Sequence, residues 1–283
     1  MRVAITGAGG QLGKELASTL AKLGCTVFPF GRNEWDITDA HFSAERLQEL
    51  QPDVLINAAA FTAVDQCETQ REKAFLINSI APFSLAREAK RVQARFIHIS
   101  TDYVFSGDKS IPWEEHDPPF PLNVYGESKW AGETLSMAAN PDTLIIRTSW
   151  LYGHGGKNFV STIAKLLQSK NQLEVVADQI GSPTYTKDLA EAIYFLLEQP
   201  AGIYHVSNSG SCSWHTFAKE IAGYLKSGAE ISPVSSENYG LPARRPSYSV
   251  LGNQKLTKCG LTMRNWKEAL YEFLAKEADK DAN

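Results

Sequence analysis

The chain has 283 residues, of which 43% are hydrophobic and 21% charged, a composition typical of a globular protein and not of a disordered one. Its formal net charge is −4 and no run of basic residues exceeds two, so the sequence argues against nucleic acid or an anionic membrane as a partner. The longest apolar run, residues 54–61, is too short to span a bilayer. The four cysteines are widely spaced and form no Cys-x-x-Cys pair, as is typical of a reduced, cytoplasmic protein.

Short apolar runs alternate with helical runs over the first 150 residues. The predicted strands are residues 2–6, 26–30, 54–57, 95–100 and 143–147. The predicted helices are residues 11–23, 44–50, 71–91 and 125–138. Near-continuous apolar strands are typical of a sheet covered on both faces, and strand–helix alternation favours right-handed crossovers. We therefore predict an α/β fold in which residues 1–150 form a Rossmann-type doubly wound parallel sheet.

The pattern becomes less regular after residue 150. Helices are predicted near 158–169, 187–199, 214–226 and 265–276. Short strands are predicted near 174–177, 204–207 and 231–234. We interpret residues 151–283 as a smaller C-terminal substrate-binding domain, and we expect the strands near 174–177 and 204–207 to rejoin the main sheet.

A glycine-rich turn follows the first predicted strand and opens the first predicted helix. Glycines at 7, 10 and 13 form a GxxGxxG pattern, and this context makes the pattern informative. Backbone N–H groups and the helix N-terminus of such a turn bind a dinucleotide pyrophosphate. The cofactor-binding residues predicted here are Gly7, Gly9, Gly10, Gln11, Leu12 and Gly13.

The end of the second predicted strand is where a dinucleotide-binding sheet recognises the adenine ribose. Arg32 stands there, and a guanidinium suits the 2′-phosphate of NADP. Glu34 lies close to this position, and NAD therefore remains an alternative cofactor, since a carboxylate binds the free ribose hydroxyl. A solvated surface role for Arg32 is the alternative.

Tyr125 and Lys129 are four residues apart at the start of a predicted helix and so share one helical face. A neighbouring ammonium lowers the pKa of a tyrosine, which suits a general acid acting on a carbonyl. Thr101 ends the fourth predicted strand, where open α/β sheets bind ligands, so its hydroxyl could bond a substrate oxygen. Small residues end the third strand and leave room for a nicotinamide ribose: Ala58, Ala59 and Ala60.

These segments together resemble the extended short-chain dehydrogenase/reductase superfamily, and within it the dTDP-4-dehydrorhamnose reductases. Besides GxxGxxG, NAAA at 57–60 and YxxxK at 125–129, the matching segments are 61–65, 100–105, 147–153, 178–184 and 243–246. They extend from residue 7 to about residue 250, which is nearly the whole chain.

The resemblance implies a bound NADPH, with NADH also open, and reduction of a 4-keto sugar carried on dTDP. Tyr125 would donate the proton, Lys129 would hold the nicotinamide ribose, and Thr101 would fix the keto oxygen. Asp36 and Ile37 fall where the family cradles adenine. The family positions that touch the sugar correspond to Thr62, Val64, Asp102, Tyr103 and Trp150.

The sugar diphosphate requires cationic or amide donors. Arg245 is our first candidate because a guanidinium binds phosphate oxygens in a bidentate manner, and Asn158 is the second. Some relatives hold magnesium between subunits through carboxylates. Here Glu15 remains, but Lys187 falls in the other ligand segment and no compact His/Asp/Glu cluster exists, so we predict no metal. A homodimer is left open.

Two other functions compete with the reductase. A nucleotide-sugar dehydratase would need Thr-Asp-Glu, and here Tyr103 replaces the glutamate, while other nucleotide-sugar reductases or epimerases stay open. A non-catalytic, NADP-binding regulatory subunit of methionine adenosyltransferase type has the same fold. The intact Thr101, Tyr125 and Lys129 argue against that purely regulatory role.

Overall fold

The computed structural model describes residues 1–281, and strands alternate with helices from its N-terminus. The strands are β1 (Arg2–Thr6), β2 (Thr26–Phe30), β3 (Val54–Asn57), β4 (Arg95–Thr101), β5 (Leu144–Thr148), β6 (Leu151–Tyr152), β7 (Gln172–Val176), β8 (Ile180–Gly181), β9 (Thr184–Tyr185), β10 (Gly202–His205), β11 (Cys212–Ser213) and β12 (Glu230–Val234).

The helices lie between these strands and at the C-terminal end. They are α1 (Gln11–Lys22), α2 (Ala40–Leu50), α3 (Val64–Thr69), α4 (Arg71–Phe75), α5 (Ala81–Arg91), α6 (Val124–Ala139), α7 (Phe159–Leu167), α8 (Thr186–Leu196), α9 (Trp214–Tyr224), α10 (Ser236–Tyr239), α11 (Gln254–Lys258) and α12 (Trp266–Asp281). A π-helical turn, Leu76–Ile80, joins α4 to α5, and a 3₁₀ turn, Asp102–Val104, follows β4. In the described part of the chain, no helix is both long enough and apolar enough to cross a bilayer.

Six strands form one parallel sheet in the order β10-β5-β4-β3-β1-β2. This confirms the predicted doubly wound sheet. Alternate side chains of each strand point to opposite faces, and both faces are covered. Val3 and Ile5 of β1 pack towards α1 and α8, whereas Ala4 between them belongs to the core formed with α2 and α5.

Local capping accounts for a boundary that differs from the sequence prediction. Helix α2 begins at Ala40 rather than at residue 44, because the Asp39 carboxylate accepts a hydrogen bond from the Phe42 backbone N–H at 2.9 Å. Residues 71–91 are helical throughout, as predicted, although the π-helical turn widens the middle of this segment.

The second half of the chain contributes to three hydrophobic clusters. Strand β10 rejoins the main sheet, as predicted. The expectation for the segment near 174–177 is wrong: β7 pairs with β12 in a separate two-stranded sheet. Leu173 and Val175 of β7 belong to one core with Phe217 and Ile221 of α9, while Glu174 is exposed. The domain boundary at residue 150 stays a prediction.

The strand order creates the crevice that holds the site. In the sheet, β2 lies on one side of β1 and β3 on the other. The connections that follow β1 and β3 therefore run in opposite directions from the carboxyl ends of these two strands. Open α/β sheets bind ligands at such a switch point.

Candidate active site

A cavity of about 840 Å³ lies at the carboxyl ends of β1, β3, β4 and β5. It brings together twenty of the positions singled out from the sequence. Those lining it are Gly7, Gly9, Gly10, Gln11, Leu12, Gly13, Arg32, Asp36, Ile37, Ala58, Ala59, Ala60, Thr62, Val64, Thr101, Asp102, Tyr103, Tyr125, Lys129 and Trp150. Asn158 and Arg245 are not among its lining residues.

The turn between β1 and α1 fits a diphosphate. Gly7 has φ +73°, and a Cβ there would lie 2.5 Å from the Ala59 backbone nitrogen, so only glycine allows this close approach to β3. Helix α1 has 12 residues, its N-cap Gly10 offers no side-chain cap, and its first turn carries no acidic residue. Its N-terminal N–H groups and positive dipole end are therefore available to an anion.

A loop at residues 153–158 closes over this turn. Lys14 Nζ donates to the Gly155 carbonyl at 3.0 Å, and Gln11 Nε2 donates to the Lys157 carbonyl at 3.4 Å. Gly155, Gly156 and Lys157 line the same cavity. No local pattern predicts these three residues, because they meet α1 only through contacts that span more than 140 positions of sequence.

Arg32 and Glu34 differ in whether they line the cavity. Arg32 lines the cavity, whereas the Glu34 carboxylate accepts a hydrogen bond from the Gly31 backbone N–H at 2.7 Å and does not line it. Asp36 accepts from Thr38 N and Oγ1, and these hydrogen bonds hold its pKa below the ordinary value. Buried Trp35 also lines the cavity; its position after the loop gave no sequence signal.

Thr101, Tyr125 and Lys129 come from two adjacent elements. Thr101 ends β4, and Tyr125 lies in the first turn of α6, where Asn123 accepts a hydrogen bond from Gly126 N at 2.8 Å and caps the helix. The Thr101 hydroxyl lies beside the Tyr125 phenol and acts on its pKa. Lys129, one turn further along α6, is 2% exposed and donates to the Ile99 carbonyl at 2.5 Å.

The start of α6 lies close to the main chain of the 3₁₀ turn. A Cβ on Gly126 would lie 2.1 Å from the carbonyl oxygen of Tyr103. The neighbouring rings of Tyr103 and Tyr125 meet edge to face, with centroids 5.8 Å apart. Because Gly126 has no side chain, α6 can approach the 3₁₀ turn closely enough for Tyr125 to lie next to Thr101.

Burial, and not Lys129, dominates the electrostatics of Tyr125. Desolvation raises the pKa of Tyr125 above its ordinary value, opposed by the neighbouring Thr101 hydroxyl. Desolvation lowers the pKa of Lys129 to about 8, opposed by the charge of Glu133. The expectation that Lys129 lowers the pKa of Tyr125 is therefore wrong for this arrangement, because the Lys129 amine is directed to Ile99.

Trp150 forms part of the cavity wall together with a residue that the sequence did not single out. Its ring stacks on Trp214 with centroids 3.4 Å apart and an interplanar angle of 6°. Trp214 Nε1 donates to Gln179 Oε1 at 3.2 Å, which anchors the pair. Trp150 has φ +47°, a strained backbone for a bulky residue. Trp214 begins α9, so only the tertiary fold brings it to Trp150.

Asn158 has a structural environment. It caps α7 by accepting from Ser161 N at 2.9 Å. Its Nδ2 donates to Gln11 Oε1 at 3.0 Å and to the Gly153 carbonyl at 2.9 Å, with a longer contact to the Gly156 carbonyl at 3.3 Å. The amide is thus committed to the protein, and its role as a diphosphate ligand stays a prediction without geometric support.

Arg245 lines a second cavity of about 630 Å³, formed largely by residues 236–247 and 106–108. Its guanidinium makes two 2.7 Å bonds to the two carboxylate oxygens of Asp65. It also interacts electrostatically with the side chain of Tyr103, which lines the large cavity. Arg245 therefore lies where the two cavities approach each other.

Among the residues that the structure describes, no group of three or more His, Cys, Asp or Glu side chains could hold a metal ion. Lys187, in the segment where some relatives have a ligand, donates to Glu272 at 2.8 Å.

The chain is similar to reductases of a dTDP-linked sugar along nearly its whole length. Residues 1–278 match the RmlD substrate binding domain family. The spore coat polysaccharide biosynthesis protein SpsK of Bacillus subtilis is 49% identical over 98% of this chain and 98% of its own. The dTDP-4-dehydrorhamnose reductase of Mycobacterium tuberculosis is 42% identical over 98% of this chain and 94% of its own.

Solved structures agree with these sequence matches. The dTDP-4-dehydrorhamnose reductase from Bacillus anthracis, crystallised in complex with NADP, is 43% identical with a TM-score of 0.95, over 97% of this chain and 99% of its own. The UDP-glucose 4-epimerase of Thermus thermophilus, at 20% identity and a TM-score of 0.85, shares the fold. The family match, the relatives and the cavity geometry agree, and the chain belongs to the dTDP-4-dehydrorhamnose reductase family.

Proposed function

We propose that this protein reduces the C4 keto group of dTDP-4-dehydro-L-rhamnose to give dTDP-L-rhamnose, with NADPH as the preferred reductant. The observation that carries the proposal is that Tyr125 and Thr101 line the same cavity as the N-terminus of α1, which has no side-chain cap. The first group can protonate a carbonyl, and the second can bind the diphosphate of a dinucleotide.

The residues present fit the cofactor. The turn at Gly7 offers backbone donors, and Arg32 lies at the end of the cavity where an adenine ribose would reach, beside Asp36 and Ile37. When bound, NADPH supplies the hydride for sugar C4. Lys129 lines the same cavity one helical turn after Tyr125, where it can bind the hydroxyls of the nicotinamide ribose.

The chain supplies the proton. Tyr125 transfers its phenol proton to the ketone oxygen as negative charge develops on it, with the Thr101 hydroxyl beside the phenol. The raised pKa of Tyr125 keeps the phenol protonated throughout the neutral range, so the donor is always loaded. The stacked Trp150 and Trp214 provide an apolar wall against which the sugar can lie.

Steady-state NADPH oxidation by the purified full chain with dTDP-4-dehydro-L-rhamnose tests the function. We expect turnover and dTDP-L-rhamnose as product, and the rate should be the same in EDTA because we propose no metal. Binding of NADPH without turnover of this substrate would overturn the proposal and favour the regulatory reading. Turnover of other keto sugars only would favour a different nucleotide-sugar reductase.

Replacing Arg32 by alanine should raise the KM for NADPH about tenfold or more and leave the KM for NADH nearly unchanged. A charge-assisted hydrogen bond to phosphate contributes about 1.5–3 kcal/mol, and only NADPH carries the 2′-phosphate. Steady-state kinetics with both cofactors measures the difference.

Lys22→Ala is the matched control for Arg32, since it removes one exposed cation that lies outside the cavity. Equal effects of Arg32→Ala on both cofactors would show that Arg32 does not recognise the phosphate.

Arg245 is proposed to bind the diphosphate of the sugar nucleotide. Arg245→Gln should raise the KM for the dTDP-sugar about 10-fold to 100-fold, the loss expected for a charged hydrogen bond. The change in kcat should be smaller, because Arg245 contacts Tyr103 and not the Thr101–Tyr125 pair. Substrate saturation curves measure both constants.

Asp65→Asn separates this role from a structural one. It weakens the same ion pair but keeps the guanidinium in place. Identical changes in KM for the two variants would mean that Arg245 serves only to tie its loop to Asp65.

We also propose three features of the cellular role. The protein acts in polysaccharide biosynthesis, a role consistent with the name of the SpsK relative. It works in the cytoplasm, where its free cysteines would stay reduced. It forms a homodimer through exposed apolar side chains on α6 and the π-helical turn, namely Trp130, Leu76 and Ile80, which sedimentation equilibrium can test.

A further inference from the structure

The Asp102 carboxyl is buried with one oxygen bonded and the other free of partners. Oδ1 accepts a hydrogen bond from Thr101 Oγ1 at 3.0 Å. Oδ2 is buried and has no hydrogen-bond partner within the described residues. The residue is 2% exposed and lines the large cavity. An ionised carboxylate is poorly stabilised in such a place, whereas a neutral carboxyl is tolerated.

The hydroxyl of Thr101 links this carboxyl to Tyr125. A threonine hydroxyl has one hydrogen to donate and two lone pairs that accept. Its hydrogen goes to Asp102 Oδ1, and one lone pair accepts from Tyr103 N at 3.2 Å. The Thr101 hydroxyl also acts on the neighbouring Tyr125 phenol, whose pKa it lowers. The Thr101 hydroxyl therefore lies between the Asp102 carboxyl and the Tyr125 phenol.

We propose that Asp102 is the proton reservoir of this site and restores the proton of Tyr125 through the Thr101 hydroxyl. This inference rests on the proposed reduction. As the ketone becomes an alcohol, the Tyr125 O–H bond breaks and its proton forms the new O–H bond of the sugar. The phenolate takes the hydrogen of Thr101, and Thr101 takes the carboxyl proton of Asp102. The Asp102 carboxylate then takes one proton from water after the product leaves, which balances the reaction.

The surroundings of Tyr125 favour this route. A bare phenolate is strongly disfavoured there, because burial raises the pKa of Tyr125. The Lys129 amine is directed to Ile99 O, with His98 Nε2 at 3.4 Å, and no hydrogen bond joins it to Tyr125 in the described structure. The Thr101 hydroxyl is thus the neighbouring group through which a proton can reach Tyr125.

The groups that face Asp102 leave it near neutrality. Desolvation raises its pKa to about 7, opposed by the nearby hydroxyls of Ser249 and Thr101. The phenols of Tyr103 and Tyr125 lie beside it and carry no charge at neutral pH. Arg245 is held by Asp65 and reaches Tyr103, and no cation contributes to the pKa of Asp102.

The pH dependence of kcat in Asp102→Asn tests the relay, since the amide keeps the shape but has no transferable proton. In the wild type, a carboxyl that must be protonated gives full activity below about pH 7 and about a tenfold loss per pH unit above it. The variant should lose about 10²-fold in kcat at pH 6, the lower end of acid catalysis, and should lack this limb. A limb that persists unchanged in the variant would overturn the relay.

Thr101→Ser and Thr101→Val provide a second pair of variants should Asp102→Asn fail to fold. Serine keeps the hydroxyl and should keep the limb near pH 7, whereas valine should abolish it. The same limb in both variants would also overturn the proposal.

Stability of the cofactor-free protein gives a readout that needs no substrate. The folded pKa of Asp102 lies above the ordinary 3.8, so the wild type should lose stability between about pH 4 and pH 7, where the unfolded chain ionises and the native carboxyl does not. The advantage of Asp102→Asn should grow over that window and then level off. A constant difference would contradict a neutral Asp102. Absence of turnover by the wild type would instead refute the reductase proposal, so the two failures are distinguishable.

Discussion

Replacing Tyr125 with phenylalanine should lower kcat for the dTDP-sugar about 10²-fold to 10⁴-fold, the usual contribution of a general acid. The substitution removes one hydroxyl and leaves the ring that packs edge to face on Tyr103. The fold and NADPH binding should therefore persist. Single-turnover NADPH oxidation measures the chemical step, and cofactor fluorescence measures binding.

Tyr152→Phe is the matched control for Tyr125→Phe. Its hydroxyl is buried without a hydrogen-bond partner among the described residues, and Tyr152 belongs to the α7–α9–α12 core rather than to the cavity. This control should leave kcat unchanged. Near-wild-type kcat in Tyr125→Phe, with chemistry rate-limiting, would exclude Tyr125 as the proton donor.

Replacing Arg147 with methionine should reduce the free energy of unfolding by about 3–5 kcal/mol, the loss expected when one partner of a buried ion pair is removed. Arg147 and Glu133 are each 1% exposed, and the guanidinium makes bonds of 2.7 Å and 2.9 Å to the two carboxylate oxygens. The pair links β5 to α6, directly behind the site. Urea unfolding at neutral pH measures the loss.

The double variant Arg147→Met with Glu133→Gln should recover part of that stability, because no charge is left buried without its partner. Ser100, which donates to Glu133, can still bond the amide oxygen. A loss below about 1 kcal/mol in the single variant would mean that water or another cation reaches Glu133, contrary to the burial of the pair.

Sequence alone predicted the parts of the site that depend on local chemistry. The turn at Gly7 needs a positive φ and no Cβ, and helix periodicity alone places Tyr125 and Lys129 on one face. The main strands were equally accessible, because strands buried on both faces are continuously apolar. The resemblance to a known family supplied the roles of residues such as Thr62 and Trp150.

Contacts between distant segments could not be predicted in this way. The apolar residues of β7 would also suit a strand of the main sheet, and only tertiary packing decides that β7 pairs with β12 instead. Trp214 reaches Trp150 across 64 positions of sequence, by stacking that no local pattern reveals. Lys129 was assigned to Tyr125 by spacing, yet its amine follows the main-chain carbonyl of Ile99 because a buried ammonium must be hydrogen bonded.

The contact of Gly126 with the Tyr103 carbonyl bears on any attempt to redesign this reductase. Not even a methyl group fits between Gly126 and this carbonyl. Helix α6, which carries the proton donor, is therefore in direct contact with the turn that follows β4. Larger or smaller sugars should therefore be accommodated by exchanging residues of the opposite wall, Trp150 and Trp214, while the first turn of α6 is left untouched. The residues that transfer the proton and the residues that select the sugar can therefore be changed independently.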